Sequence, residues 1–298
     1  MSNDTQRKKI TVPAIRAMKG KSRIGMLTAY DYPSAKVADG AGADVILVGD
    51  SLAMVVLGLP DTLSVTVDEM LHHTRAAVRG VKSALIVGDM PYLSYHVSLE
   101  ESVRNAGRFM QAGANAVKVE GAKASRIKTI EAILDAEIPV MGHIGLTPQS
   151  VNALGGFKLQ GKSADDARRL IDEAVALERA GCFSLVLECV PSELAQIITE
   201  HVTIPTIGIG AGPSCDGQVL VFHDVLGMYD GHTPKFVRQY AHIAEEQQHA
   251  LEGYLADVRN GSFPDEAKES FHMASDEELK RLYATRDDGG VVVEMPRN

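Results

Sequence analysis

Four acidic residues stand directly after apolar, strand-like runs: Asp50 closes VILVGD, Asp89 closes ALIVGD, Glu120 closes AVKVE and Glu188 closes LVLE. The runs are β-branched and continuous rather than alternating, which is the pattern of strands buried on both faces of a parallel sheet. Charge cannot sit cheaply inside such strands. Four carboxylates gathered at the same ends of several of them repel one another, and the cost falls only when a cation neutralises them or one takes up a proton. The pattern points to an enzyme with a site for a hard metal ion. A lone Asp after a strand is more often a turn or helix cap than a ligand; three at matching positions reverse that balance.

The elements that must hold these residues can be read from the same sequence. Strand-like segments fall at 24–27, 45–48, 84–87, 116–119, 140–143, 184–187, 206–209 and 219–222. Between most of them lie helical patterns with start signals, including the capping-box spacings Thr66-x-x-Glu69 and Ser98-x-x-Glu101. The segments DGAGADVILV, QAGANAVKVE and ERAGCFSLVL share a small, glycine-containing turn before an apolar run, as expected where a glycine-terminated helix leads straight into a strand.

Eight such units close most economically into a (β/α)8 TIM barrel, whose active site lies at the C-terminal strand ends where the carboxylates fall. The stretch between Ile209 and Val219 is too short for a full helix, so the seventh helix is expected to be a turn or missing. An open doubly wound sheet is the alternative, but it places a phosphate loop after the first strand, where this chain has TAYDYPS. The expected organisation is an N-terminal lead over 1–23, a barrel over 24–273 and a charged extension over 274–298. The lead, with its apolar VPAIRAM patch, is open between a short helix across the barrel bottom and simple packing. The segment TPKFVRQYAHIAEEQQHALEGYLADVRNG is expected to supply the last barrel helix, and the final stretch to be mobile or to reach another subunit.

A chain of 298 residues with 45% hydrophobic and 23% charged residues can bury a large core under an ordinary solvated surface. Its formal net charge of −9 argues against general affinity for nucleic acid or an anionic membrane. No apolar stretch is long enough to span a bilayer, and the first twenty residues lack the hydrophobic segment of a secretory signal, so a cytoplasmic location is expected. Cys182, Cys189 and Cys215 are odd in number and lack CxxC spacing, which suggests reduced thiols rather than a disulfide framework or zinc site.

The strings MLTAYDYPSA, VGDSLAMVVLG, VGDMPYLSY, VKVEG, GHIGLTPQSVNALGGFK, LVLECV and IGIGAGPSCDGQVLV, in this order, resemble the ketopantoate hydroxymethyltransferase family from about Thr11 to Met273. The resemblance implies a magnesium-bearing (β/α)8 barrel and a homo-oligomer, a decamer in the family. The implied reaction is transfer of a one-carbon unit from 5,10-methylenetetrahydrofolate to 3-methyl-2-oxobutanoate, giving 2-dehydropantoate in pantothenate synthesis. It also implies Asp50, Asp89 and Glu120 as metal ligands, Glu188 as catalytic base, and Asp50, Ser51, Asp89 and Lys118 as contacts of the 2-oxo acid.

Chemistry agrees at each position. Magnesium prefers oxygen ligands and keeps sites for water or substrate. Lys118 lies two residues before Glu120 and so shares its strand face; an ammonium inside a barrel is hard to explain as packing unless anions meet it. Burial and cluster charge act on Glu188 in opposite senses, and the sequence gives no net direction for its pKa.

Other features are open between two readings. His143, at the end of the fifth strand, is a polar contact to substrate or folate or a satisfied structural histidine, and is left outside the core site. Tyr30, Asp31 and Tyr32 either shape the pocket or pack. Gly208–Gly212 either cradles an anion or allows close backbone approach. The segment from Gly145 to Lys162 is a candidate lid. His72 and His73 read as outer-layer residues. Two rival functions remain: a magnesium-dependent lyase or mutase of the phosphoenolpyruvate and isocitrate lyase type, whose KKCGH-type loop is absent, and a non-catalytic barrel, which predicts a lost base or ligand.

Overall fold

The computed structural model describes residues 7–228 and 233–283. Eight parallel strands close into a barrel in sequence order: β1 (Ile24–Thr28), β2 (Val45–Val48), β3 (Leu85–Asp89), β4 (Ala116–Glu120), β5 (Val140–Gly145), β6 (Ser184–Glu188), β7 (Thr206–Ile209) and β8 (Gly217–Leu220), with β8 pairing back onto β1. The fold is the expected (β/α)8 barrel. Seven strands fall where the sequence places them to within two residues; the eighth starts two residues earlier than 219–222, and Phe222 already opens a helix.

Helices alternate with the strands: α1 (Val12–Ala17) precedes β1, α2 (Tyr32–Gly40) follows it, and α3 (Leu52–Val55) and α4 (Val67–Gly80) follow β2. Next come α5 (Leu99–Gln111), α6 (Ala124–Asp135), the short α7 (Val151–Leu154), α8 (Ala164–Ala180), α9 (Ser192–His201) and α10 (Phe222–Leu226). No helix lies between β7 and β8, as the short spacing requires. Thr66 and Glu69 form the full capping box at α4, whereas Ser98 at α5 makes only the forward bond from the Glu101 N–H. Gly42, Gly113 and Gly181, the glycines of the three repeated turns, all adopt positive φ, which lets a helix reverse directly into the next strand.

Side chains alternate across each strand, so the barrel has an inner and an outer core. Met26, Val45, Leu85, Ala116, Met141, Val186, Ile207 and Val219 fill the interior from below. The inward pattern then changes at the C-terminal strand ends to Asp89, Lys118, Glu120, His143 and Glu188. The N-terminal lead seals the opposite end. Pro13 and the Thr11 hydroxyl start α1, and Ile15, fully buried, inserts among the interior residues. Lys9 Nζ donates to Ala84 O at 2.8 Å, and Lys19 Nζ meets Asp216 Oδ2 at 2.8 Å, so the lead is pinned on both sides.

The expected last barrel helix is corrected. Residues 233–242 carry no helix, and the helical stretch is α11 (Ile243–Asn260), which with α12 (Asp276–Tyr283) forms a second compact unit beginning at Ile243. No residue of α11 is buried. Only part of the extension after 273 lies within the described residues, where 276–283 is helical. Among the described residues no helix is long and apolar enough to cross a membrane.

Candidate active site

A cavity of about 540 Å³ opens at the C-terminal strand ends and is lined by Asp50, Ser51, Asp89, Lys118, Glu120, His143 and Glu188, among others. Strand register assembles it. Asp89 of β3 stands beside Lys118 of β4, Glu120 beside His143 of β5, and Gly145 beside Glu188 of β6. Neighbouring strand ends therefore deliver an acid, a base, an acid, an imidazole and an acid in spatial order.

Lys118 lies at the centre. Its Nζ is 2.9 Å from Asp89 Oδ1, 3.6 Å from Glu120 Oε1 and 3.2 Å from His143 Nδ1. His143 spans the remaining gap, with Nε2 at 3.3 Å from Glu188 Oε2. The histidine left outside the core site by sequence thus occupies the middle of the constellation, between the ammonium and the fourth carboxylate. The Asp50 N–H donates to Asp89 Oδ2 at 3.2 Å, tying the β2 and β3 ends together. Ser51 Oγ and the Tyr30 hydroxyl share a hydrogen bond of 2.8 Å. Tyr30 is buried, Asp31 caps α2, and Tyr32 is exposed, so of these three only Tyr30 reaches a site residue.

Four carboxylates against one ammonium leave the site short of positive charge. Burial raises the Asp89 carboxyl well above its ordinary range; Lys118 opposes this, while Asp50 and Glu120 reinforce it. Glu120 is pushed up to about 8 by burial, against Lys118 and with help from Asp50 and Glu188. Glu188 is likewise raised to about 8, by burial first, then lowered by Lys118 and raised by Asp50. Burial lowers Lys118, but the summed attraction of Asp89, Glu120 and Asp50 wins and its net direction is upward. Burial and the Lys118 charge hold His143 well below its ordinary value, so the imidazole is neutral.

The donor set suits a hard cation. Glu120 Oε1 is a buried oxygen without a hydrogen-bond partner among the described residues, Asp89 Oδ1 is met only by the Lys118 ammonium, and all three carboxylates expected to bind metal line one cavity. Among the described residues no three His, Cys, Asp or Glu side chains are drawn together tightly enough to form a complete metal cage. Magnesium needs no such cage; it commonly takes one or two carboxylates and fills the rest of its octahedron with water and substrate oxygens.

Three residues that sequence reasoning missed complete the framework. Gln149, buried in the 3₁₀ turn Pro148–Ser150 within the candidate lid segment, donates from Nε2 to Asp50 Oδ2 at 2.8 Å and to Met90 O at 2.9 Å. Its backbone N–H donates to Glu120 Oε2 at 3.1 Å, and its Oε1 accepts from the Tyr95 hydroxyl at 2.5 Å. Arg126 lies over the Tyr95 ring, 4.1 Å from its centroid, and donates to Glu120 O at 3.0 Å. The glycines of Gly208–Gly212 permit close approach: a Cβ at Gly210 would lie 2.8 Å from the Phe236 ring, and one at Gly212 would lie 2.2 Å from Ser192 Oγ.

A model of the ketopantoate hydroxymethyltransferase family matches residues 9–266. A 3-methyl-2-oxobutanoate hydroxymethyltransferase of Clostridium botulinum is 56% identical over 277 residues, covering 92% of this chain and 100% of the relative. The enzyme of the same name from Syntrophomonas wolfei is also 56% identical, over 92% of this chain and 99% of its own length. Among solved structures, phosphonopyruvate hydrolase superposes with a TM-score of 0.57 at 15% identity, over 92% of this chain and 98% of its own. A 2,3-dimethylmalate lyase gives 0.54 at 15%, over 91% and 93%. At that identity the likeness is one of fold alone.

Proposed function

The chain belongs to the ketopantoate hydroxymethyltransferase family, and we propose that it moves the one-carbon unit of 5,10-methylenetetrahydrofolate onto C3 of 3-methyl-2-oxobutanoate, giving 2-dehydropantoate in pantothenate synthesis. It is a hydroxymethyltransferase. The observation that carries the finer reading is the separation of charges in the site: Asp89 and Glu120 meet Lys118, Asp50 is tied to Asp89 through its N–H, and Glu188 stands apart across His143.

In this reading Lys118 Nζ and the Ser51 hydroxyl hold the carboxylate of the 2-oxo acid. Asp50, Asp89 and Glu120 would hold a magnesium ion, which supplies a Lewis acid that draws electron density from the keto group and acidifies the adjacent C–H. Glu188 Oε2, which lines the cavity 3.3 Å from His143 Nε2, takes the C3 proton. The electron pair released at C3 forms the new bond to the one-carbon unit. Both carbon–nitrogen bonds of the methylene bridge break, one replaced by the bond to C3 and the other by the hydroxyl that water supplies; the two nitrogens take up the proton collected by Glu188 and the one released by water, and tetrahydrofolate leaves. A cytoplasmic location belongs to the same proposal and is supported by three free cysteines.

The test follows the C3 proton of 3-methyl-2-oxobutanoate by NMR in deuterated water, with magnesium or with EDTA. Metal-dependent exchange, followed by 2-dehydropantoate once the folate is added, is the expected result. Glu188→Gln should slow exchange roughly 10²- to 10⁴-fold, the usual worth of a general base, while still binding the 2-oxo acid. Unchanged exchange in that variant would remove Glu188 as the base. No exchange in the wild type with any divalent metal would sink the assignment.

A further inference from the structure

One wall of the cavity takes no part in holding or deprotonating the 2-oxo acid. On the side of β7, β8 and the segments after them, Ile209, Val219, Leu220 and Val221 line it, and Asp224 of α10 is the only ionisable side chain there among the described residues. The Phe222 N–H donates to Thr28 Oγ1 at 3.0 Å, which fixes α10 on the end of β1. Asp224 has no hydrogen-bond or ion-pair partner among the described residues, and burial alone raises its carboxyl. It lies near enough to Tyr30 for its charge to act on that phenol, whose hydroxyl bonds Ser51. Two aromatic rings at the same cavity, Phe157 and Phe236, are 55% and 38% exposed.

A half-buried carboxylate without a partner is costly, and its place in the first turn of a five-residue helix offsets little of that cost. Two acceptor oxygens in a cavity that also presents an apolar wall and two aromatic rings are complementary to a flat heterocycle with two adjacent N–H donors. The pterin of a folate has that edge, formed by N3–H and the 2-amino group. The cavity volume of about 540 Å³ is in the range that takes ligands of drug size, far more than a five-carbon acid fills.

We infer that Asp224 is the residue that recognises the pterin edge of the folate co-substrate, with Phe157 and Phe236 as the walls that receive its ring. The inference rests on the proposed reaction and adds to it the residue that selects the one-carbon donor. Phe236 is held for this role by Gly210, where a Cβ would stand 2.8 Å from its ring.

The experiment measures binding of tetrahydrofolate and 6-methyltetrahydropterin by anaerobic calorimetry to the full-length wild type, Asp224→Asn, Asp224→Ala and Phe157→Ala. C3 proton exchange of 3-methyl-2-oxobutanoate without folate is read in parallel. Both Asp224 variants should weaken pterin binding tenfold or more, and Phe157→Ala several-fold, with the loss confined to folate binding and absent from the exchange reaction. The wild type should also reject a pterin analogue carrying oxygen in place of the 2-amino group, and Asp224→Ala should lose that discrimination. Loss of exchange together with pterin binding, or of neither, overturns the assignment of Asp224, as does discrimination that survives in Asp224→Ala. A wild type that exchanges the proton but binds neither probe overturns it while leaving the metal and 2-oxo acid half of the reaction standing. A wild type that binds both probes but shows no exchange fails the proposed reaction instead.

Discussion

At the scale of single residues, the groups that carry charge were legible and the groups that aim them were not. Asp50, Asp89, Lys118, Glu120 and Glu188 announce themselves because an ionised side chain beside a buried strand needs a reason, and all five line one cavity. Gln149 gives no such signal: a glutamine in a turn-rich loop is the ordinary content of such loops. Only the folded chain shows its amide bonded to Asp50, Met90 and Tyr95. Removing it frees Asp50 to rotate and strips the Tyr95 hydroxyl of its acceptor. At the proposed magnesium site, Gln149→Ala should therefore weaken metal binding about 10- to 100-fold, the usual cost of losing a group that orients a metal ligand. Titration calorimetry of the metal with the folded variant measures this, and unchanged affinity would show that Asp50 is held without the amide. Asp89→Ala removes a carboxylate itself and should abolish metal-dependent binding of the 2-oxo acid, read by the same titration with substrate present.

At the scale of elements, strands were read well because eight apolar runs, all but the last two separated by helix-length spacers, admit few topologies. The misreadings have local causes. The run GQVLVF gives no end signal, and its true start is set by Gly217, where a Cβ would lie 2.5 Å from Ile24 O, so glycine here serves barrel closure rather than a turn. Residues 233–242 look helical in composition, but Tyr240 N–H is taken by Val225 O at 2.8 Å and Phe236 is seated on Gly210, contacts distant in sequence that override propensity. The cap at the other end of the barrel yields a pH prediction. Asp216 accepts from Lys19 Nζ at 2.8 Å, Gly20 N–H at 3.1 Å, and the Thr206 N–H and hydroxyl at 2.9 and 3.1 Å. Burial pushes its carboxyl upward, but these bonds outweigh burial and its pKa is lowered. A carboxylate lowered on folding contributes stability that is complete above its unfolded pKa, near 4, and is lost as pH falls through the folded value. Asp216→Asn should cost about 2 kcal/mol at pH 7, and the gap from wild type should narrow below pH 4. Urea unfolding at pH 7 and pH 3 measures both; a gap independent of pH would show that the ionised form adds nothing.

At the scale of the whole molecule, the barrel accounts for the chemistry, and the second unit raises a different question. Leu251, Tyr254, Leu255 and Val258 follow the i, i+3, i+4, i+7 spacing of one helix face in α11, and they are 61%, 50%, 42% and 45% exposed. Helical periodicity made this segment readable as a helix. What covers its apolar face was not readable, because the same stripe serves equally for packing within a chain and between chains. Within the second unit the Phe263 ring packs edge-on against Tyr254, and the four side chains keep this exposure. Contiguous apolar faces of this kind on a folded protein mark association sites, and association between identical chains usually closes with symmetry. The homo-oligomer implied by the family resemblance is therefore expected to use this helix. Sedimentation velocity should give a mass that is a multiple of the 32.0 kDa chain. The double substitution Leu251→Glu and Leu255→Glu should lower that multiple while leaving C3 proton exchange at the barrel intact. A wild-type chain that sediments as a monomer would rule out assembly, and an unchanged mass in the double variant would move the interface to another surface.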